Sequence, residues 1–352
     1  MRSLAKALAT VTAVALLTGC AAPSPPAAGT SSTATEPSAS ATTAPKVRVI
    51  VDTDANNELD DQHALAYVLL NGDTFTVDGV TVNATRAGGE VDAHYEEARR
   101  VIALCNLEGR IPLHLGANGS FEEIRPTLGT PDFDGHAAVD FIIERAQTAS
   151  AREPLVLLPI GKLTNIALAL VKEPSIAGKV RIVWLGSNYP ERGEYNQDGD
   201  PEALRYVLSI DVPFEMVTVR YGKPSGTDAI RVTREDVARR FAGRGPRAAA
   251  PVPGRHGGTF TTFGDYAVNL FEHIEMTGTP PSRALYDVAA AAIVKDPAWA
   301  ISRQVPAPAL VGRNWEARPD NPRTIVVWER FDRDAIVDDL QETLEEPVLA
   351  TP

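Results

Sequence analysis

A run of acidic residues directly follows the first apolar segment after residue 45. The segment KVRVIV, residues 46–51, predicts a strand, and the run Asp52-Thr53-Asp54-Ala55-Asn56-Asn57-Glu58-Leu59-Asp60-Asp61 follows it. Five acidic side chains within ten residues repel one another when partly buried, and a hard divalent cation removes that cost. Oxygen ligands favour Ca2+ or Mg2+, and the sequence has no Cys/His set with zinc spacing. The run predicts a metal site, with a solvated loop in which Asp60 caps the next helix as the alternative.

Polar residues also follow later strand candidates. Asn83 follows the strand candidate 76–82, and Glu194 and Asn196 lie beyond the strand candidate 181–185. Asp287 opens an apolar helical segment. Each has an ordinary local explanation, namely a turn asparagine, a polar loop and a helix cap. Taken singly, none of these residues decides between a structural and a functional role.

The elements that must position these residues alternate along the chain. Short apolar runs predict strands, and amphipathic segments between them predict helices; the strand candidates are 46–51, 76–82, 112–115, 155–158, 181–185, 214–219 and 323–330. Such alternation predicts an α/β fold with an open, mostly parallel sheet flanked by helices. Ligands of open α/β sheets bind beyond the carboxyl ends of the strands, which is where the polar residues cluster. The Gly-, Pro- and Arg-rich segment 242–258 is expected to be a mobile loop.

The segment VDTDANNELDDQHALAYVLL resembles the amino-terminal motif of the inosine–uridine nucleoside hydrolase family, in which Asp-x-Asp and a short turn precede Asp-Asp at a helix start. The turn is two residues longer here than in the commonest form. The resemblance implies that Asp54 and Asp61 bind Ca2+ and that Asp54 also takes a proton from the attacking water. It implies that Asp60 holds a ribose hydroxyl and that Asp52 supports the cluster.

Further segments are similar to family motifs in the same order along the chain. The resemblance implies that the backbone carbonyl of Ile160, just before Gly161, ligates the metal, and that Asp287 is the third carboxylate ligand. It also implies that Asn83 faces the nucleoside and that Glu194 and Asn196 bind ribose hydroxyls.

Tyr286 stands where many family members have a histidine that helps to protonate the leaving base. A phenol with an ordinary pKa near 10 is a poor acid at neutral pH, so Tyr286 is expected to orient or stack on a base. The frequent His-Gly segment of the family, in the loop after the third strand, is also not evident; His136 and His256 are the candidate substitutes, although each is explained more simply as a surface or structural histidine.

The resemblance spans about residues 47 to 345 and implies a Ca2+-dependent hydrolase that releases ribose and free base from ribonucleosides. The family also suggests a homo-oligomer, either a dimer or a tetramer. One alternative is a lipoprotein that binds nucleosides or sugars without cleaving them. Another is a metal-dependent phosphohydrolase with Asp52 as nucleophile, Asp54 as acid and Lys162 as the phosphate clamp; it is the weaker alternative because Lys162 is the one obvious cation near the strand ends.

The net charge indicates which class of ligand the protein can bind, and the cysteine content indicates whether a disulfide is expected. The 352 residues include 34 Lys and Arg and 46 Asp and Glu, for a formal net charge of −12. This balance argues against nucleic acid, because phosphate binding needs clustered basic residues. A small neutral or metal-chelated substrate fits better. Cys105 is expected to be a buried apolar side chain. It has no disulfide partner, because Cys20, the other cysteine, belongs to the amino-terminal signal described next.

The sequence of the amino terminus predicts a targeting signal rather than part of the folded domain. Residues 1–20 combine two basic residues, an apolar run and the sequence Leu17-Thr18-Gly19-Cys20, which resembles a bacterial lipobox with Cys20 as the lipidated residue. An ordinary secreted chain cut nearby is the alternative. Residues 21–45, rich in Ala, Pro, Ser and Thr, predict a disordered tether, and residues 46–352 the hydrolase-like domain. The expected location is the cell membrane, lipid-anchored on its extracytoplasmic side, with no other membrane contact.

Overall fold

A central sheet runs through the computed structural model, which describes residues 45–352. The strands are β1 (Val47–Thr53), β2 (Phe75–Val82), β3 (Leu113–His114), β4 (Leu155–Pro159), β5 (Val180–Leu185), β6 (Phe214–Val217), β7 (Arg231–Val232), β8 (Val252–Pro253), β9 (Thr259–Phe260), β10 (Arg283–Ala284), β11 (Ile301–Pro306), β12 (Ala309–Val311), β13 (Asn314–Glu316) and β14 (Thr324–Glu329). The central sheet has eight of these strands, in the order β11-β14-β6-β5-β4-β1-β2-β3. The other strands form three two-stranded ladders.

Most of the helices connect strands of the central sheet along the chain. They are α1 (Asp60–Leu69), α2 (Val91–Leu104), α3 (Phe121–Ile124), α4 (His136–Gln147), α5 (Thr164–Lys172), α6 (Tyr195–Gly199), α7 (Pro201–Ser209), α8 (Arg234–Arg240), α9 (Phe263–Glu272), α10 (Val288–Lys295) and α11 (Arg333–Glu345). None of the helices within residues 45–352 is long and apolar enough to cross a membrane.

Every neighbouring pair of strands in the central sheet is parallel except β11 and β14, which are antiparallel. The predicted α/β fold with an open, mostly parallel sheet is therefore confirmed. β1 lies between β2 and β4, so the acidic run that follows it emerges near the middle of the sheet. This position brings the ends of the neighbouring strands within reach of the acidic side chains.

Both faces of the sheet are buried, which explains the nearly continuous apolar character of β1. Val49 and Val51 join one buried cluster, which includes residues of α1, α2, α9, α10 and α11. Ile50 points to the opposite face and joins a second cluster, with residues of α4, α5 and α7. Cys105 is buried in the first cluster just after α2, which confirms its prediction as an apolar core residue.

The last residues of the chain return to the end of α1. Gly72 N donates to Val348 O at 2.7 Å, and Ala350 N donates to Leu69 O at 2.9 Å. A Cβ atom at Gly72 would lie 2.3 Å from Leu349 O, so glycine is required for this close approach. The carboxyl-terminal segment thus braces α1 at the end opposite to Asp60.

Several elements differ from the sequence-based expectation. Helices α8 and α9 and the antiparallel strand β11 were not predicted. The segment 242–258, expected as a loop, contains β8, which pairs with β9 in a hairpin. The predicted signal peptide, the lipidation site at Cys20 and nearly all of the predicted tether lie outside the described residues.

Candidate active site

A cavity of about 250 Å3 opens beyond the carboxyl ends of β1, β4, β5 and β6. Eight predicted site residues line it: Asp54, Asp60, Asp61, Ile160, Glu194, Asn196, Tyr286 and Asp287. The remaining lining residues had no predicted role: Asn57, Glu58, Leu185, Tyr195, Val219, Tyr221 and Arg283. Asp52 and Asn83 are the two predicted residues of the domain that do not line the cavity. The fold therefore brings most of the predicted set together from four separate segments.

Three buried carboxylates meet in the cavity. Asp60, Asp61 and Asp287 each offer an oxygen, and these oxygens lie within 4.8 Å of one another. Asp60 and Asp61 occupy the first turn of α1, whereas Asp287 directly precedes α10 and makes no side-chain capping bond. Helix amino termini carry partial positive charge, which favours nearby anions. It offsets only part of the repulsion among three carboxylates.

Burial and mutual repulsion shift these acids towards the protonated form. Burial raises the pKa of Asp61 and Asp287 well above the ordinary value, and neighbouring aspartates add to the effect. Burial, with a contribution from Glu58, raises the pKa of Asp60 to about 7. A divalent cation would remove this repulsion, and an all-oxygen donor set suits Ca2+ or Mg2+. The residues present therefore fit a hard metal ion.

Asp54 lies on the same cavity wall but outside the group of three. Its Oδ2 accepts a hydrogen bond of 2.5 Å from Thr85 Oγ1, and Tyr195 OH donates to Thr85 Oγ1 at 3.2 Å. Burial raises the pKa of Asp54, and the bond from Thr85 opposes that rise. Coordination of the metal by Asp54 stays a prediction, whereas Asp60 joins Asp61 and Asp287 in the cluster.

Asp52 is buried behind the cavity and is held by three donors. Thr81 Oγ1, Asn83 Nδ2 and Asn165 Nδ2 lie 2.6, 3.0 and 2.7 Å from its carboxylate oxygens. Burial nevertheless raises the pKa of Asp52 to about 7. These contacts agree with the predicted supporting role of Asp52.

Asn83 is fully buried beside Asp52 and Asp54, and its contact with the nucleoside stays a prediction. Its amide nitrogen donates to Asp52, and its Oδ1 has no protein partner among residues 45–352. A Cβ atom at Gly161 would lie 3.0 Å from the Asn83 amide and 2.8 Å from Asp54 Oδ1. Asn83 therefore packs at the strand ends next to Asp54, although it does not itself line the cavity.

The predicted sugar-binding residues border the cavity on well-fixed backbone. Asn196 Nδ2 donates to the carbonyls of Ile160 and Leu185 at 2.9 and 3.1 Å. Glu194 Oε2 accepts from the backbone N–H groups of Ser187 and Gln197 at 2.8 and 2.9 Å. Burial raises the pKa of Glu194, and these backbone bonds oppose the rise. The two side chains are rigid hydrogen-bonding groups that suit the recognition of hydroxyls.

Two tyrosines stand at the outer part of the cavity. The rings of Tyr221 and Tyr286 meet edge to face with centroids 6.1 Å apart. Tyr286 OH donates to Asp228 Oδ1 at 2.9 Å, and burial and this carboxylate raise the pKa of Tyr286. Neither His136 nor His256 lines the cavity, so neither replaces the histidine of the family pattern.

The longer loop of this chain is anchored at several points. Asn56 Nδ2 donates to Gly88 O at 2.6 Å, and Asn56 N donates to His94 Nδ1 at 3.1 Å. Arg255, at the tip of the β8–β9 hairpin, donates to Glu58 O at 2.7 Å and approaches Asn56 Oδ1 at 3.4 Å. These contacts hold the loop beside the cavity, which Asn57 and Glu58 line.

The position of Lys162 does not suit the phosphohydrolase alternative. Its Nζ donates to Gly119 O at 2.5 Å and approaches Asn118 O at 3.4 Å, and the residue does not line the cavity. Asp52, the nucleophile in that alternative, is likewise outside the cavity and fully engaged. The geometry therefore disfavours phosphoryl transfer.

Sequence reasoning missed Thr85, Tyr221 and Arg283. Thr85 lies two residues after Asn83 and Arg283 four residues before Asp287, so proximity to a predicted residue was their one local signal. Tyr221 is not close in sequence to any predicted residue. It lies in the segment after β6, and the fold brings that segment to the cavity.

Comparison with known proteins agrees with this site. The family model described as inosine-uridine preferring nucleoside hydrolase matches residues 49–338. The chain is 30% identical over 216 residues to an uncharacterised protein of Schizosaccharomyces pombe, covering 53% of this chain and 66% of the relative. It is 30% identical over 189 residues to a pyrimidine-specific ribonucleoside hydrolase of Shewanella baltica, covering 48% and 57%. The chain thus spans less than two thirds of the length of these curated relatives.

Solved structures share the fold at low sequence identity. A plant nucleoside hydrolase superposes with a TM-score of 0.65 at 19% identity, over 86% of this chain and 100% of that one. A purine-preferring ribonucleoside hydrolase from Gardnerella vaginalis superposes with a TM-score of 0.63 at 17% identity, over 84% and 98%. Because the family model covers most of the chain, and the fold and the acidic strand-end motif agree with it, this chain belongs to the inosine-uridine preferring nucleoside hydrolase family.

Proposed function

We propose that this protein is a Ca2+-dependent hydrolase that cleaves the N-glycosidic bond of ribonucleosides to ribose and free base. The observation that carries the proposal is the meeting of Asp60, Asp61 and Asp287 in one cavity with Asp54. Family membership and the names of the hydrolase relatives support the reaction class. The all-oxygen donor set supports calcium as the metal.

The proposed metal ligands are Asp54, Asp61, Asp287 and the carbonyl of Ile160, with Asp60 close enough to contribute. Calcium, when bound, would lower the pKa of a water molecule and attract the ribose hydroxyls. The carboxylate of Asp54 would accept the proton of the attacking water, as a general base. Its bond from Thr85 fixes the direction of that carboxylate.

The remaining polar residues of the wall position the sugar. Glu194 and Asn196 are held by backbone contacts and offer an acceptor and an amide to ribose hydroxyls, with Asp60 nearby. Fixing the sugar in this way converts much of the entropic cost of reaction into binding. Positive charge that develops on the sugar carbon as the bond breaks would be stabilised by the surrounding carboxylates.

The decisive experiment is ribose release from a panel of purine and pyrimidine nucleosides, with added calcium and with chelator. We expect hydrolysis that chelation abolishes and calcium restores. Magnesium in place of calcium tests the identity of the metal. Calorimetry on the same panel checks the binding alternative, because tight binding without ribose release would contradict the proposed reaction.

We also propose that Cys20 is lipidated and anchors the enzyme to the extracytoplasmic face of the cell membrane, because its sequence context matches a lipobox. Metabolic labelling with a radioactive fatty acid tests this, with Cys20→Ala as the variant and Cys105→Ala as the matched control. We expect label and membrane association in wild type and Cys105→Ala, and neither in Cys20→Ala. Label in all three proteins would contradict the assignment.

A further inference from the structure

An ion pair on the cavity wall joins the two segments that carry the clustered carboxylates. Arg283 Nη2 donates to Glu58 Oε2, and the side chains are 17% and 35% exposed. Glu58 precedes Asp60 by two residues, and Arg283 precedes Asp287 by four. Both members of the pair line the cavity. The pair therefore stands beside the proposed reaction centre.

Most hydrogen-bond donors of Arg283 have no protein acceptor. A guanidinium has five N–H donors, and among the described residues this one bonds to Glu58 alone. Its Nε is buried and has no partner within residues 45–352. An unpaired buried donor costs free energy, and together with the other unpaired N–H groups at the cavity it points to an acceptor supplied by the ligand.

The sugar-binding groups determine which part of a ligand reaches Arg283. Glu194, Asn196 and the carboxylate cluster are the proposed contacts for ribose. The lining also includes Arg283, Glu58, Tyr221 and Tyr286, which the proposed sugar contacts leave for the base. Tyr286 already donates its hydroxyl hydrogen to Asp228. Arg283 is the cationic residue of this lining, and most of its donors have no protein acceptor among the described residues.

We propose that Arg283, held by Glu58, donates hydrogen bonds to a carbonyl oxygen adjacent to the departing nitrogen of the base, which selects nucleosides of 2-oxopyrimidines. This inference rests on the proposed function. The bond between the sugar carbon and the base nitrogen breaks, and its electron pair stays on the base. Water supplies the oxygen that bonds to the sugar carbon, and Asp54 takes the proton. The base leaves as an anion and is protonated afterwards by solvent.

A guanidinium can stabilise this anion but cannot supply a proton, because it stays charged over the whole accessible pH range. A purine carries no carbonyl oxygen next to its glycosidic nitrogen, and its departure is helped by protonation of a ring nitrogen instead. The arrangement therefore favours leaving groups whose charge spreads onto a neighbouring oxygen. Uridine and cytidine are such substrates.

The test compares two substrates with the calcium-loaded full-length chain. Uridine needs stabilisation of its leaving group, whereas the nitrophenolate of p-nitrophenyl riboside departs without help. In Arg283→Met, which keeps the aliphatic stem, we expect kcat/KM for uridine to fall about 100-fold and that for p-nitrophenyl riboside to fall far less. Arg283→Lys should restore part of the uridine activity. Arg303→Met, at the sheet edge, is the matched control and should resemble wild type on both substrates.

Glu58→Gln provides a second variant that keeps the guanidinium and loosens its support. Its loss should again be larger for uridine, at about 10-fold. Equal losses on both substrates, or none, would overturn the role of Arg283. A wild type that cleaves p-nitrophenyl riboside but prefers inosine over uridine overturns the inference and leaves the proposed function standing. A wild type that cleaves neither substrate overturns both.

Discussion

Thr85 Oγ1 donates a hydrogen bond of 2.5 Å to Asp54 Oδ2, although the two residues follow different strands. Thr85 is the one side chain that donates to Asp54 from the segment after β2, so it fixes the rotamer of the proposed base. We expect Thr85→Val to lower kcat about tenfold with little change in KM, because a misdirected carboxylate accepts the proton less well.

Steady-state kinetics on a nucleoside substrate measure this effect. Thr85→Ser retains the hydroxyl and serves as the control, with kcat close to wild type. Unchanged kcat in Thr85→Val would show that Asp54 needs no such support.

Replacing Asp54 by asparagine keeps the shape of the side chain and removes its basicity. We expect Asp54→Asn to fold and to lose at least about 100-fold in kcat. Circular dichroism checks the fold, and ribose release measures turnover. Asp211→Asn, at an exposed position, is the matched control. Normal turnover in Asp54→Asn would refute its assignment as the base.

Asp287 is the carboxylate contributed by the distant segment before α10. We expect Asp287→Ala to weaken calcium binding strongly, because one of three converging carboxylates is lost. Calcium titration by calorimetry provides the measurement. If the Asp287→Ala variant bound calcium with the affinity of wild type, Asp287 would not be a ligand of the metal.

The buried acids predict how the stability of the metal-free protein depends on pH. Burial raises the pKa of Asp52 and Asp60 from 3.8 to about 7 in the folded protein, so the folded state binds more protons than the unfolded chain between these values. The stabilisation from protonation is complete below about pH 4 and is lost as the pH rises through about 7.

Calcium should reverse this trend, because it binds the ionised carboxylates. We expect the difference in Tm between calcium-loaded and calcium-free protein to widen from pH 5 to pH 8. Burial lowers the pKa of His63 to about 4, which acts in the opposite direction. Comparing the two forms at each pH cancels that contribution, because His63 lies outside the cavity. A constant difference would contradict the metal assignment.

Arg255 joins the β8–β9 hairpin to the loop after β1, through its contacts with Asn56 and Glu58. We expect Arg255→Met to raise KM several-fold and leave most of kcat, because the loop wall loosens while Asp54 keeps its bond to Thr85. Arg247→Met, in the same basic segment and bonded to Thr261 alone, is the control. Equal kinetics in both variants would show that the hairpin does not support the site.

The fold and most of the site could be predicted because their signals are local. Apolar runs marked the parallel strands, and the carboxyl ends of parallel strands converge, so Asp54 and Asp61 were placed by one segment alone. Asp287 needed the family pattern, because nothing in its own surroundings distinguishes a metal ligand from a helix cap. The structure supplies that distinction, since its carboxylate makes no capping bond.

The features of the site that the sequence did not reveal depend on contacts between distant segments. The bond from Asn83 to Asp52, 31 residues earlier, joins the ends of two strands. Arg255 meets Asn56 across 199 residues, and Arg283 meets Glu58 across 225. No periodicity connects such pairs, because the packing of a hairpin and of a short ladder sets their positions. Apart from Tyr286, the side of the cavity that is proposed to face the base could therefore not be predicted from the sequence.

Helix α1 links two remote parts of the molecule. Its first turn carries Asp60 and Asp61, and about 15 Å away its other end is clasped by residues 348–351. Proteolytic loss of residues 348–351 would release one end of α1, whose other end carries two of the carboxylates proposed to bind the metal. We expect such a loss to lower calcium affinity before it unfolds the core.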